Sequence, residues 1–239
     1  MDKFFKDFDF FWRKIERNEN FTFTRYADGE VMLMNGISVR EGTQAFNVDK
    51  WSAPAKLTKV GVELLESLNH IENDYFYAIS SKTDNINDYL YLRNNIKQNE
   101  DNISFVNLWI NANYQKTIEK YKTLNRPVTL ICNYKAKKDN FPFNVNRIIP
   151  FPDNCIEYWE ISGDSFLEML INEVGEKQNE LFFISCGPVS EIIIHKLYTN
   201  NPNNTYIDVG SSIDEFVHGQ KTRPYMNDGT IYSKMISTF

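Results

Sequence analysis

Leu181-Phe182-Phe183-Ile184-Ser185-Cys186-Gly187-Pro188-Val189-Ser190 is the segment on which the reading of the fold turns. Apolar residues run without a break into Ser185, as in a strand buried on both faces. Gly187 permits a tight turn. Pro188 suits the first position of a helix, where no backbone N–H is required, and Val189–Tyr198 reads as that helix. Strand, short turn and helix in this order are the unit of a parallel sheet. Free N–H groups at the helix start face the carboxyl end of the strand and favour a phosphate, and the Ser190 hydroxyl is placed to add to them. The plainer reading is Gly-Pro as punctuation between strand and helix.

Working outward, the same alternation recurs. Tyr75–Ile79 reads as a strand, Ile86–Lys97 as a helix, Ile103–Leu108 as a strand and Tyr114–Leu124 as a helix. Pro127–Cys132 is an apolar strand whose proline stands at its start, where no ladder donor is needed. Lys135–Asn146 is polar and reads as a loop before the short strand Ile148–Phe151. The turn residues Ser162-Gly163-Asp164 precede a helix over Phe166–Val174, and Tyr206–Val209 is the last strand. Toward the N-terminus lie a strand over Phe21–Tyr26, a short helical stretch through Met34, and a helix from about Pro54 to Asn69 with Ser52 as its cap. The expected fold is α/β: a mainly parallel sheet with helices on both faces. Residues 3–18 form an amphipathic helix whose stripe is Phe4, Phe8, Phe11, Trp12 and Ile15. Packing against the body of the domain is the expected use of that stripe. A homodimer contact and peripheral membrane attachment are the alternatives, and Asp2, Asp7, Asp9 and Glu16 weaken the second.

Composition narrows the function classes. The 239 residues are 42% hydrophobic and 24% charged, enough for a sizeable core. A net charge of −6 argues against a general nucleic-acid binder. Cys132, Cys155 and Cys186 are widely spaced with no CxxC, so neither a disulfide framework nor a zinc site is expected, and a reducing, cytoplasmic setting fits. His70, His195 and His218 have no HxxxH arrangement. The charged, aromatic N-terminus lacks a signal-peptide core, and no apolar run approaches a membrane span.

Two further segments carry candidate chemistry. In Thr24-Arg25-Tyr26-Ala27-Asp28-Gly29-Glu30, a glycine between two carboxylates lets Asp28 and Glu30 converge after a strand. Two hard oxygen donors with phosphate and water oxygens suit Mg²⁺ or Mn²⁺; a solvated Asp-Gly turn is the plainer reading. In Ile207-Asp208-Val209-Gly210-Ser211-Ser212-Ile213-Asp214-Glu215, Asp208 ends a strand where a carboxylate can accept bonds from sugar hydroxyls. Ser211 lies in the same ligand-edge turn. Ser212 and Glu215 have the spacing of a capping box, which leaves Asp214 as the freer carboxylate. His218 through Arg223 supplies cations for a diphosphate or acceptor, or forms a solvated basic loop.

Taken in order, Arg25-x-x-Asp28-Gly29-Glu30, the late strand ending in Gly187-Pro188, and Asp208-x-Gly210 followed by Asp214 resemble the GT-D-type glycosyltransferases, bacterial enzymes long filed as a domain of unknown function. The resemblance spans roughly residues 20–225. It implies a Rossmann-like transferase, one domain over residues 1–239, that uses a nucleotide sugar, typically UDP-linked, with Mn²⁺ or Mg²⁺ held by Asp28 and Glu30. On this resemblance Arg25 braces that turn or contacts phosphate. Gly187, Pro188, Ser190 and Asp208 fall at the nucleotide-binding turns, Ser211 is a further nucleotide-binding candidate where the sequence departs from the family, and Asp214 is the candidate base for an inverting reaction. The acceptor implied is a glycan or glycoconjugate of bacterial surface-polysaccharide or glycoprotein assembly. The rival readings are a metal-dependent phosphoesterase, which lacks an evident second carboxylate pair or nucleophile, and a non-catalytic nucleotide- or glycan-binding module.

Overall fold

Continuous apolar runs put seven strands into one parallel sheet in a computed structural model of the chain, which describes residues 2–37 and 58–239 and the backbone of Val39–Arg40 and Asn47–Val48. The strands are β1 (Thr22–Tyr26), β4 (Tyr75–Ile79), β5 (Ile103–Phe105), β6 (Val128–Asn133), β7 (Val145–Phe151), β8 (Leu181–Ser185) and β9 (Thr205–Asp208). Their order is β5-β4-β1-β9-β8-β6-β7, parallel throughout. Two-residue strands β2 (Val39–Arg40) and β3 (Asn47–Val48) form a separate antiparallel ladder.

Alternate side chains of each strand feed the two faces. Tyr77, Ile79, Phe182, Ile184 and Tyr206 join a core with α2 (Asp28–Met34), α3 (Lys59–Ser67), α4 (Ile86–Asn95), α6 (Cys155–Val174) and α7 (Ser190–Asn200). Phe23, Phe76, Phe183 and Ile207 join the opposite core with α1 (Lys3–Glu16), α5 (Tyr114–Lys122) and α8 (Asp214–His218). The expected α/β sheet with helices on both faces is present. All five stripe residues of α1 are buried, and the Phe11 ring meets Phe23 edge-on at 4.8 Å. The sheet therefore takes up the stripe, as the packing reading expects, and each such side chain contributes about 1.5–3 kcal/mol. No helix among the described residues is long and apolar enough to cross a membrane.

Several boundaries differ from the sequence expectation. Ser162-Gly163-Asp164 is not a turn: α6 runs unbroken from Cys155 to Val174. Gly163 serves contact instead, because a Cβ there would lie 2.7 Å from Trp159 Cδ2. Gly163→Ala is expected to destabilise by about 1–3 kcal/mol through overpacking, despite alanine's better helix propensity; urea denaturation measures it. β7 starts at Val145, inside the segment read as loop, because pairing with β6 overrides the polar Asn146 and Arg147. β5 ends at Phe105, after which Val106 to Asn113 turn back in bends and a 3-10 turn. The proposed Ser52 cap and the helix start at Pro54 lie outside the described residues; α3 is capped by Thr58, whose hydroxyl accepts from Gly61 N.

Candidate functional site

Strand order reverses at β1, with β4 on one side and β9 on the other, so the carboxyl ends of β1 and β9 frame a switch-point crevice. Arg25 lies across it. Its Nε donates to Val106 O at 2.7 Å, and its Nη1 stands 3.7 Å from Asp208 Oδ2. Gly210, at φ +48°, makes room for this guanidinium: a Cβ there would fall inside it. Asp208 is buried, and its Oδ1 accepts the Gly210 N–H at 2.7 Å. Ser185 Oγ donates to Gly210 O at 3.0 Å, tying the β8 and β9 ends together.

The Asp28-Gly29-Glu30 segment is the first turn of α2 rather than a sharp turn. Residues two apart on a helix project about 200° apart, so the expected convergence through the glycine does not occur. Glu30 turns back: its Oε2 accepts the Ala27 N–H at 2.7 Å. Ala27 has no side-chain acceptor, so only this half of a capping box forms. Glu30 is 7% exposed, whereas Asp28 is exposed.

A residue not singled out in the sequence completes the cluster. Glu191, in the first turn of α7, is 1% exposed, and its Oε1 accepts the Arg25 backbone N–H at 3.3 Å. Burial, then the charges of Asp208 and Glu30, push the Glu191 carboxyl well up. Burial also raises Asp208, against the pull of Arg25. Glu191 Oε2 is buried without a donor beside it, so a proton on Glu191 given to Asp208 satisfies both groups. Glu30 is pushed up to about 7, first by burial and then by Asp208 and Asp28. The one local signal for Glu191 is a lone carboxylate between Ser190 and Ile192-Ile193-Ile194 in a helix start at the carboxyl edge of the sheet. Asp88, in the first turn of α4, was also missed. It is 9% exposed, has a partnerless Oδ2, and is raised by burial and then by Asp28.

The other predicted residues fall at the same sheet edge with different partners. Gly187 has the positive φ (58°) its turn requires, but Pro188 stands two residues before α7 rather than at its first position. Ser190 is buried, and its hydroxyl accepts the Cys186 N–H at 2.8 Å. Ser211 Oγ accepts from Tyr225 OH at 2.7 Å. Asp214 sits not in the Arg25 cluster but against Thr222 Oγ1 (3.1 Å) and Arg223 Nε (3.5 Å), and burial raises it. Ser212 and Glu215 form no capping box: Ser212 Oγ donates to Val209 O, and Glu215 accepts from Tyr114 OH. His70 and His195 pack together, ring nitrogens 2.6 Å apart.

No three His, Cys, Asp or Glu side chains among the described residues are grouped to enclose a metal ion. Mg²⁺ needs fewer: one or two carboxylates, with phosphate oxygens and waters for the rest. Exposed Asp28 can offer one oxygen to a cation of that kind, whereas Glu30, buried and accepting from Ala27 N, reaches the same ion only by giving up that hydrogen bond.

No protein-family model and no curated protein matches the chain. Two solved structures do resemble it. One is the selenomethionine-substituted structure of domain of unknown function 1792, at 15% identity and a TM-score of 0.55. The other, at 15% identity and 0.54, is of the same domain, described as highly conserved and as having a distinct glycosyltransferase fold. Each alignment covers 87% of this chain and 79% of the other. The chain thus has the Rossmann-like, parallel α/β fold of a glycosyltransferase, and its switch-point crevice is where such a fold places a ligand.

Proposed function

We propose that the protein is a metal-dependent glycosyltransferase that passes a sugar from a nucleotide sugar, UDP-linked, to a glycan or glycoconjugate acceptor in cytoplasmic steps of bacterial surface-polysaccharide or glycoprotein assembly. The observation that carries the reading is a fixed cation, Arg25, held by Val106 O and facing Asp208 in the switch-point crevice of a glycosyltransferase fold.

In transfer, the bond from the anomeric carbon to the diphosphate breaks and one to the acceptor oxygen forms. Negative charge collects on the departing diphosphate while the sugar becomes oxocarbenium-like. Arg25, held by Val106 O and limited by Gly210, meets that charge without reorganising. The start of α7, after the Gly187 turn, adds backbone N–H groups. Asp28 and, once its Oε2 leaves the Ala27 N–H, Glu30 would hold Mg²⁺ or Mn²⁺, which would supply Lewis-acid stabilisation of the departing oxygens. In an inverting reaction Asp214 takes the acceptor proton, and Thr222 and Arg223 orient its carboxylate.

UDP is expected to raise the melting temperature only when Mn²⁺ or Mg²⁺ is present, by about 2.7 kcal/mol of stability at a hundredfold excess over Kd. Asp28→Asn and Glu30→Gln should each abolish the metal dependence. UDP binding that needs no metal and survives both substitutions would sink the assignment.

A further inference from the structure

We propose that Tyr134 is the platform on which the base of the nucleotide donor stacks, an inference that rests on the nucleotide-sugar reading above. From a diphosphate in the β1–β9 crevice, the rest of the donor must extend along the sheet edge in one of two directions. Toward β4 and β5 the edge is filled by the chain's own C-terminus. Ser237 Oγ donates to Asp84 Oδ1 and Oδ2 at 3.1 and 3.0 Å, Thr238 N donates to Thr83 Oγ1 at 3.1 Å, and Phe239 stacks on Phe105 at 4.1 Å.

In the other direction come β8 and β6. The β8 end carries Gly187, with no side chain to obstruct a ligand, and Cys132 of β6 pairs with Ser185 of β8. Tyr134 therefore follows β6 beside the Gly187 turn. At about 4.8 Å per strand, β6 lies roughly 12 Å from the crevice, within reach of an extended nucleoside diphosphate.

The turn that presents Tyr134 is rigidly made. Tyr134 N donates to Phe151 O at 3.1 Å, Lys135 N to Asn133 Oδ1 at 2.9 Å, and Ala136 N to Asn133 O at 3.0 Å. Asp153 holds both Asn133 Nδ2 and, at 2.8 Å, Lys135 Nζ. Yet the tyrosine on this turn is 58% exposed, and Lys135 Nζ, paired with Asp153, backs its ring at 5.3 Å from the ring centre. Large aromatic side chains elsewhere in the molecule are mostly buried. An exposed ring, backed by a lysine on a pre-organised turn at the carboxyl edge of the sheet, has the features of a base-stacking site.

The test compares UDP with inorganic pyrophosphate, each with Mn²⁺, by calorimetric titration. Tyr134→Ala is expected to weaken UDP binding roughly 5- to 150-fold, the range of one base–aromatic stack, and to leave pyrophosphate binding unchanged. Tyr134→Trp should restore UDP affinity. Saturation-transfer NMR on the wild type should mark the uracil H5 and H6 protons, and Tyr134→Ala should remove the signal. Wild-type UDP affinity in Tyr134→Ala overturns the inference and leaves the nucleotide-sugar reading standing. A wild type that binds neither UDP nor pyrophosphate overturns the reading and the inference with it.

Discussion

Gly210→Ala is expected to cost about 3 kcal/mol of stability and to abolish nucleotide-dependent stabilisation, although it adds one methyl group outside the Asp28–Glu30 pair. Two effects combine. At φ +48° an L side chain is strained by about 1 kcal/mol. The new Cβ would also occupy the position of the Arg25 guanidinium, which must leave Val106 O and Asp208. A hydrogen bond to a charged group is worth about 2 kcal/mol. Because most of the damage passes through Arg25, the two sites are not independent. In an Arg25→Ala background the Gly210→Ala cost should fall to the backbone strain of about 1 kcal/mol, a coupling that a double-mutant cycle reads directly. Strictly additive costs would show that the methyl acts elsewhere. Isothermal titration with UDP separates lost binding from lost stability.

Arg25 and Gly210 also show where sequence was sufficient and where it was not. Asp208-x-Gly210 and Arg25 stood out because strand ends with a charge and a glycine are local patterns, readable over a few residues. The strands themselves were legible for a similar reason: a run such as Tyr75–Ile79, buried at all five positions, leaves no helical alternative of that length. The turn assigned at Gly163 failed because Ser-Gly-Asp is a local signal, while the reason for the glycine is non-local only in part: Trp159, one helical turn back, fills its space. β7 was cut short because Asn146 and Arg147 point outward on an edge strand, where polarity does not report the ladder. Glu191 was overlooked because its partners, Arg25 and Asp208, are distant in sequence and meet it only when α7 packs beneath β1. Asp28 and Glu30 follow the carboxyl end of β1, as the sequence order expects. They do not converge, since the backbone after β1 enters a helix at once and Glu30 is drawn into capping it.

That capping role gives the acidic cluster a measurable pH signature. Glu30→Gln is expected to stabilise the protein at pH 8 by up to about 3 kcal/mol while changing little at pH 4.5. The folded Glu30 carboxyl is raised to about 7 from its ordinary 4.5, chiefly by burial. A group raised in this way is neutral in the native state, so below pH 4.5 its contribution is fully present. Between pH 4.5 and 7 the native state binds more protons than the unfolded chain, and stability is lost at up to about 1.4 kcal/mol per unit, the loss being complete once the folded carboxyl has ionised. Glutamine is already neutral, and its amide oxygen can accept the Ala27 N–H in place of Oε2, so the variant escapes that loss. His195 bends the wild-type curve the other way: burial lowers it to about 4, so its contribution is full above pH 6.5 and fades toward pH 4. Both proteins share that imidazole, so the difference between their urea-denaturation curves from pH 4.5 to 8.5 reports Glu30 together with the carboxylates coupled to it. Parallel curves would show that Glu30 is ionised throughout the range. Mn²⁺ added at pH 8 should narrow the gap, because a cation favours the ionised wild-type carboxylate and has less to gain from the amide.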